Sequence, residues 1–177
     1  MILPPVRDPR LVTVRRGGSL TDDDHRLLAL WAADCAERVL PLFERSAPDD
    51  DRPRRAVEAA RAWARGELPM MAARADGGHA MGAARPLTGA PRFAAYAAGQ
   101  AACVGHVAEH DLGAAAYAIK AVVAVSDGDA GAGRPLVDDV RRAERDHQRA
   151  LLPDAVRALV LDDQARRSPL CWNLFDD

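Results

Sequence analysis

Two histidines four residues apart are the first candidates for chemistry in this chain. They lie in the stretch HVAEHDLGAAAYAIKA, residues 106–121, so on a helix His106 and His110 would share one face, as two metal ligands must. Glu109 would lie on another face of that helix, where it could not join the two histidines as a ligand. The ExxH spacing of ERDH, residues 144–147, occurs once in the chain, whereas di-iron bundles need it on two helices. We therefore predict that both histidines are packing and hydrogen-bonding rings at a helix junction, without a metal or a cofactor.

Other catalytic patterns are missing from the sequence. The serines fall in turns or helix caps without a GxSxG motif, and there is no GxxxxGK[ST] phosphate loop. The acidic stretch SDGDAGAG lacks the closing glutamate of a calcium loop, so we expect a mobile turn there. Cys35, Cys103 and Cys171 are too scattered for a zinc clip or a disulfide framework, which predicts reduced, mostly buried thiols.

A few bulky or ionisable side chains could still meet in a cleft between helices. Aromatic residues make up only 5% of the chain, so a tryptophan or tyrosine is more often core but could line such a cleft. Asp34 shares a helix face with Trp31 and Arg38; it either pairs with Arg38 or, if buried, orients one of the histidine rings. The candidate cleft comprises Trp31, Asp34, Trp63, His106, His110, Tyr117 and Lys120.

Length and charge restrict the function classes. The 177 residues suit one domain, and 28% charged with 49% hydrophobic residues are typical of a soluble globular protein. A formal net charge of −2 gives no general attraction to nucleic acid or anionic lipid. No apolar run approaches the roughly 18 residues that a membrane span needs. We predict a cytoplasmic protein with neither a nucleic-acid nor a membrane partner.

The abundance of alanine, together with few β-branched clusters, predicts an all-α fold. Alanine favours helices and lets their axes approach closely, so we expect a single-domain bundle of about six to seven Ala-rich helices. We divide the chain into an irregular N-terminal arm (1–19), a helical domain (20–167) and an apolar tail (168–177). The tail is too apolar to remain free, so it should dock on the bundle or on a second subunit and form a homo-oligomer.

Local signals place the helices. Thr21 and the aspartates after it form a strong helix start, and Pro53 suits a first helical turn. Gly77 and Gly78 weaken a third helix, which either continues through them or breaks. Gly113 fits a junction or a close helix contact, and the stretch LVTV near the N-terminus could be a short extended segment without a partner.

Four ordered blocks resemble a known family. LWAADCAERVLPLFE, DDDRPRRAVEAARAWARGE, HVAEHDLGAAAYAIKA and ERDHQRALLP are similar to the bacterial Imm-5-like immunity proteins, over about residues 20–160. The resemblance implies a helical domain that neutralises a cognate toxin by binding it, and no catalytic residues carry over. His147 departs from the tryptophan usual in the last block, which argues against ERDH as a metal motif.

Three functions therefore remain open from the sequence. An immunity protein would cover a surface that its toxin needs, through a few buried anchors and complementary charge. Acidic runs such as residues 22–24 and 49–51 could serve a basic toxin, although they also suit helix caps and turns. The alternatives are an enzyme or small-molecule-binding protein using Asp34, His106, His110 and Tyr117, and a purely structural homo-oligomer.

Overall fold

A computed structural model describes residues 3–128 and 134–177. Within these residues the chain is a packed bundle of seven helices, 73% helical and without strands, which confirms the all-α prediction. The helices are α1 (Asp22–Glu44), α2 (Arg52–Ala64), α3 (Met70–Ala83), α4 (Gly89–Cys103), α5 (His110–Gly128), α6 (Arg134–Ala150) and α7 (Asp154–Arg167). The sequence predicted a loop over residues 126–135; of this stretch, residues 126–128 belong to α5 and residues 134–135 to α6, and residues 129–133 lie outside the described ones.

Helix α1 begins at the predicted cap. The Thr21 hydroxyl accepts a hydrogen bond from the Asp24 backbone N–H at 3.0 Å, and three aspartates occupy the first turn, where the helix dipole favours negative charge. Pro41 lies in the last turn, and the helix ends three residues later at Glu44. One face of α1 is buried along its length through Leu28, Trp31, Cys35, Val39 and Phe43.

Helix α4 is the centre of the bundle. It packs against α1, α2, α3 and α5, and small side chains let all four neighbours approach it. Its buried residues are Ala94, Ala95, Ala97, Ala98, Gly99, Ala101, Ala102 and Cys103. The abundance of alanine in the sequence is therefore explained by close helix packing as well as by helix propensity.

The glycine pair in α3 does not break the helix. Gly77 faces Gly99 of α4, and a Cβ atom built on Gly77 would lie 2.7 Å from the Gly99 carbonyl oxygen. A Cβ atom on Gly99 would in turn lie 2.8 Å from the Gly77 carbonyl oxygen, whereas nothing lies within 4 Å of one on Gly78. The first glycine is thus required by the crossing of two helix backbones.

The N-terminal arm is packed rather than loose. It contains two 3₁₀ turns, Pro9–Leu11 and Val14–Arg16, and one isolated parallel bridge joins Thr13 to Leu20. The extended stretch expected in this region therefore does have a partner. Leu11 and Leu20 are buried in the core, so the arm closes one end of the bundle.

A buried ionic cluster holds the arm and α7 to the start of α5. Arg7 of the arm donates two hydrogen bonds to the Glu109 carboxylate, at 2.9 and 2.6 Å. Arg167 of α7 donates to the Glu109 carbonyl at 2.9 Å and pairs with Asp163 and Asp111. Because Glu109, Asp111 and Asp163 are almost completely buried, removal of one arginine would leave a carboxylate without its compensating charge.

The C-terminal tail docks on the bundle of its own chain. Arg141, Arg145 and Arg149 follow one another at four-residue spacing on α6, and each donates hydrogen bonds to backbone carbonyl groups of the tail. Leu174 and Phe175 are buried in the core. The described helices include none whose length and hydropathy would allow it to span a bilayer.

Candidate functional site

His106 and His110 do not share a helix face. Helix α4 ends at Cys103 and α5 begins at His110, so His106 lies in the turn between them. The HxxxH spacing on one helix was therefore the wrong interpretation, although both rings do lie at a helix junction. Among the described residues, no group of three or more histidine, cysteine, aspartate and glutamate side chains could hold a metal ion.

The two rings have different surroundings. The Nδ1–H of His110 donates to the side-chain oxygen of Gln100 at 2.7 Å. Burial, followed by the charge of His106, lowers the pKa of His110 to about 4, so the ring is neutral at pH 7. Gly113 lies against Gln100, and any side chain at this position would displace the amide. By contrast, Nδ1 of His106 is buried and has no hydrogen-bond partner.

Asp34 and Trp31 lie apart from the histidines. Asp34 is exposed and forms an ion pair with Arg61 of α2 at 2.7 Å, while Arg38 pairs with Glu144 of α6 at 2.8 Å. The pairing of Asp34 with Arg38 is thus replaced by bonds between helices. Trp31 is buried in the core, where its indole N–H donates to the Gln148 carbonyl at 2.9 Å.

The remaining candidates divide between two cavities. Tyr117 and Lys120 lie in an open cavity of about 470 Å³, which we call the aromatic groove. Trp63 and His106 line a second cavity of about 230 Å³ beneath the N-terminal arm, which we call the arm pocket. The first two turns of α4 line the groove and the residues after its last turn line the arm pocket, so the two cavities lie towards opposite ends of this helix.

The aromatic groove combines four aromatic rings with two cations. Its main lining residues are Arg92, Phe93, Tyr96, Tyr117, Lys120 and Trp172. The Tyr117 ring centroid lies 5.1 Å from that of Tyr96, 5.3 Å from that of Trp172 and 6.3 Å from that of Phe93. These separations are typical of favourable aromatic contacts. Half of the eight aromatic residues in the chain thus lie on one surface.

Both cations of the groove contact ring faces rather than carboxylates. Lys120 is the only lysine in the chain, and its ammonium lies 4.0 Å from the Trp172 ring centroid and 4.6 Å from that of Phe93. The Arg92 guanidinium lies over the Tyr96 ring at 5.4 Å. Partial burial lowers the pKa of Lys120. Within the described part of the chain, neither cation has an ion-pair partner, and no acidic residue lines the groove.

Trp172 is held over the groove by an unusual backbone turn. Trp172 and Asn173 both have left-handed conformations, with φ of 58° and 57°, which cost energy in residues other than glycine. The Asn173 N–H bonds to the Ser168 carbonyl at 2.8 Å, and the arginines of α6 fix the chain that follows. The indole nevertheless remains 45% exposed. The tail therefore presents a large aromatic side chain to solvent in a fixed position.

The arm pocket has a different composition. Trp63 forms one wall, held by an edge-on contact with His25 whose ring centroids are 4.8 Å apart. Nε2 of His25 donates to the Val104 carbonyl at 2.7 Å. A Cβ atom on Gly105 would lie 2.7 Å from the Trp63 ring, so the turn after α4 must pass close to the indole. Arginines of the arm form the opposite side.

Four members of the groove were not predicted from the sequence as site residues. Arg92, Phe93 and Tyr96 follow one another at helical spacing, and Arg92 bonds the Tyr96 hydroxyl at 3.1 Å, so this i,i+4 pair was a detectable signal. Trp172 was recognised only as part of an apolar tail. Its position over Tyr117 depends on how the tail docks, which no local pattern reveals.

Comparisons with known proteins give one match. The family model described as Imm-5 like putative immunity protein matches residues 18–155, a range that includes α1 to α6. No curated protein and no solved structure is similar enough to match. Because the family model covers well over half of the chain, the resemblance seen in the sequence is confirmed. The chain belongs to the Imm-5 like putative immunity protein family.

Proposed function

We propose that this protein neutralises a cognate bacterial toxin by binding it, without catalysing a reaction, and that the aromatic groove is the contact surface. The observation that carries the proposal is the clustering of Phe93, Tyr96, Tyr117 and Trp172 around an open groove with two cations. Tryptophan, tyrosine and arginine are the residues most enriched at the energetic centres of protein interfaces. Family membership supports an immunity role but names no toxin.

The charges of the groove favour an acidic partner segment. Lys120 and Arg92 form no ion pair within the described residues. Arg92 donates to the Leu87 carbonyl and the Tyr96 hydroxyl, which leaves its other N–H groups and the Lys120 ammonium available to carboxylates. The aromatic rings beside them would exclude water from such contacts and strengthen them. We therefore infer that the toxin inserts a segment with an apolar side chain next to an aspartate or glutamate. This differs from the basic partner that the acidic runs of the sequence suggested.

The apolar side chains that the tail leaves exposed decide whether the groove stays open or is covered in an oligomer. Because Leu174 and Phe175 are buried in their own bundle, Trp172 and Leu170 are the larger apolar side chains that the tail leaves exposed. A homo-oligomer formed through the tail would cover Trp172 and compete with the toxin. We propose that the free protein leaves this surface open and acts in the cytoplasm, where a toxin produced by the same cell would be met.

The test is a binding measurement with the product of a toxin gene beside the gene for this protein. We expect the two products to co-purify, and Trp172→Ala and Lys120→Glu each to weaken binding by about tenfold or more, as loss of an interface anchor does. Leu161→Ala and Arg85→Glu are matched controls, since both residues are exposed and lie outside the groove, and Arg85 makes no ion pair with any residue that the structure describes.

The outcome can be assigned to the interface if folding is checked in parallel. Far-UV circular dichroism should be unchanged in Lys120→Glu, and thermal unfolding should shift only by the loss of its two cation–π contacts, each worth about 0.5–1 kcal/mol, because its ammonium makes no ion pair among the described residues. Equal affinity for the groove variants and the two controls would reject the groove as the contact surface. A neighbouring gene cluster of biosynthetic enzymes, without a toxin that binds, would reject the immunity role itself and favour a small-molecule function.

A further inference from the structure

We infer that the arm pocket binds a small planar organic anion, a ring compound carrying a carboxylate or a phosphate group. This site is separate from the aromatic groove and does not depend on toxin binding. It is formed where the N-terminal arm crosses the end of the bundle, against the first turn of α1, the last turn of α2, the start of α3 and the turn between α4 and α5. An adjoining cavity of about 260 Å³ shares Arg15, Trp63 and Met70 with it.

The apolar side of the pocket suits a flat ring. Trp63, Leu11 and Met70 line it, and Trp63 is held between Gly105 and the edge-on ring of His25. A wall that is already fixed needs no ordering when a ligand binds, which reduces the cost of binding. An indole face that borders a cavity offers an offset-stacked contact to an aromatic ligand.

On the polar side of the pocket, two hydrogen-bonding groups lack a partner among the described residues. Arg16 has no ion pair within the described residues, and Nδ1 of His106 is buried without a hydrogen bond. Asp22 is the only carboxylate among the lining residues, and it pairs with Arg15. No carboxylate of the pocket lining therefore remains to pair with Arg16 in place of a ligand. A buried polar atom without a partner is costly, and a bound ligand would satisfy it.

The electrostatic potential in the pocket favours negative charge. Burial lowers the pKa of His106 most strongly, and the positive charges of Arg74, Arg16 and Arg7 lower it further. At His25 burial lowers the pKa most strongly, the Val104 carbonyl and Asp22 raise it, and Arg16 and Arg7 lower it by smaller amounts. Arginines that disfavour a protonated imidazole at this position would stabilise a carboxylate or phosphate there.

The site can be tested with simple probes and the intact protein. Benzoate and phenyl phosphate provide the two anionic groups on one ring, and benzyl alcohol is the neutral control. Binding is followed by NMR through the ring nitrogens of His106 in protein labelled with ¹⁵N. We expect saturable shifts with at least one anion, and benzyl alcohol binding about tenfold or more weakly because it lacks the charge-assisted hydrogen bonds.

Variants assign the binding to the pocket. Arg16→Gln should weaken the tighter anion by about tenfold, whereas Arg85→Gln, which removes an unpaired exposed arginine elsewhere, should leave its affinity unchanged. The inference is overturned if neither anion shifts the His106 signals in a saturable way. It is also overturned if benzyl alcohol binds as well as the anions, or if both arginine variants weaken binding equally. Toxin binding through the groove is unaffected by any of these results.

Discussion

The two adjacent glycines of α3 allow one substitution to be compared at two positions with opposite expected results. Gly77→Ala places a methyl group 2.7 Å from the Gly99 carbonyl oxygen and 2.9 Å from the Cys103 sulfur. Gly78→Ala places it in open space, since nothing lies within 4 Å. Both variants gain the same helix propensity, so the difference between them reports the crossing of α3 and α4 alone.

The expected magnitudes follow from this geometry. Replacing a helical glycine by alanine stabilises a helix by about 0.5–1 kcal/mol, which is the whole effect expected for Gly78→Ala. At Gly77 the backbone oxygen of α4 cannot rotate away, so the two helices must separate at a cost of about 1–3 kcal/mol. The net result for Gly77→Ala, after the propensity gain is subtracted, is a destabilisation of up to about 2.5 kcal/mol.

Urea unfolding followed by circular dichroism measures both free energies, and thermal unfolding measures the accompanying change in Tm. For a protein of this size, Gly78→Ala should raise Tm by about 1–4 °C and Gly77→Ala should lower it by up to about 10 °C. Gly99→Ala is an independent check from the opposite helix, because its added methyl group would meet the Gly77 carbonyl oxygen at 2.8 Å. If Gly77→Ala were as stable as Gly78→Ala, the close crossing of α3 and α4 would be refuted.

Two further predictions concern pH and the tail. The pKa of His110 is about 4 in the folded protein and about 6.5 in the unfolded chain. Its neutral ring therefore contributes fully to the free energy of unfolding above pH 6.5, and this contribution is lost as the pH falls towards 4. The measurement is urea unfolding at pH 7.5 and pH 4.5. On acidification, His110→Gln should lose less stability than the unsubstituted protein, with a difference of about 2–3 kcal/mol at most. Equal losses in the two proteins would contradict this prediction. Arg145→Gln should increase hydrogen exchange in residues 168–177, because Arg145 donates to the tail, whereas Arg142→Gln should not, because its partner is Asp139 on the same helix. Unchanged protection in Arg145→Gln would show that burial of apolar side chains suffices to dock the tail.

Local patterns in the sequence were sufficient to predict the helices. Thr21 caps α1 as expected, and the apolar stripe that follows it is buried, because both features depend on residues within a few turns of each other. The HxxxH interpretation failed for the opposite reason. The end of α4 at Cys103 depends on Gly105 passing close to Trp63, which lies 42 positions earlier in the chain, and helical spacing carries no information about that contact.

The same distinction explains which parts of the candidate sites were predictable. Tyr117 and Lys120 lie three residues apart on α5, so their shared face could be read from the sequence. Trp172 joins them only because the arginines of α6 dock the tail, a contact between distant segments. Likewise, spacing offered Arg38 as one possible partner for Asp34, but in the bundle Asp34 pairs with Arg61 on the neighbouring helix.

Helix α4 connects the packing of the bundle to both proposed sites. Tyr96 in the groove and Gln100, which bonds His110 near the arm pocket, are four residues apart on this helix, and Gly99 at the crossing lies between them. Because α4 is buried on several sides by alanines, it has little room to rotate independently of its neighbours. A side chain added at the crossing would therefore displace Tyr96 from Tyr117 as well as separate the helices. The small residues of α4 thus serve the binding surface as well as the core, although they touch neither proposed ligand.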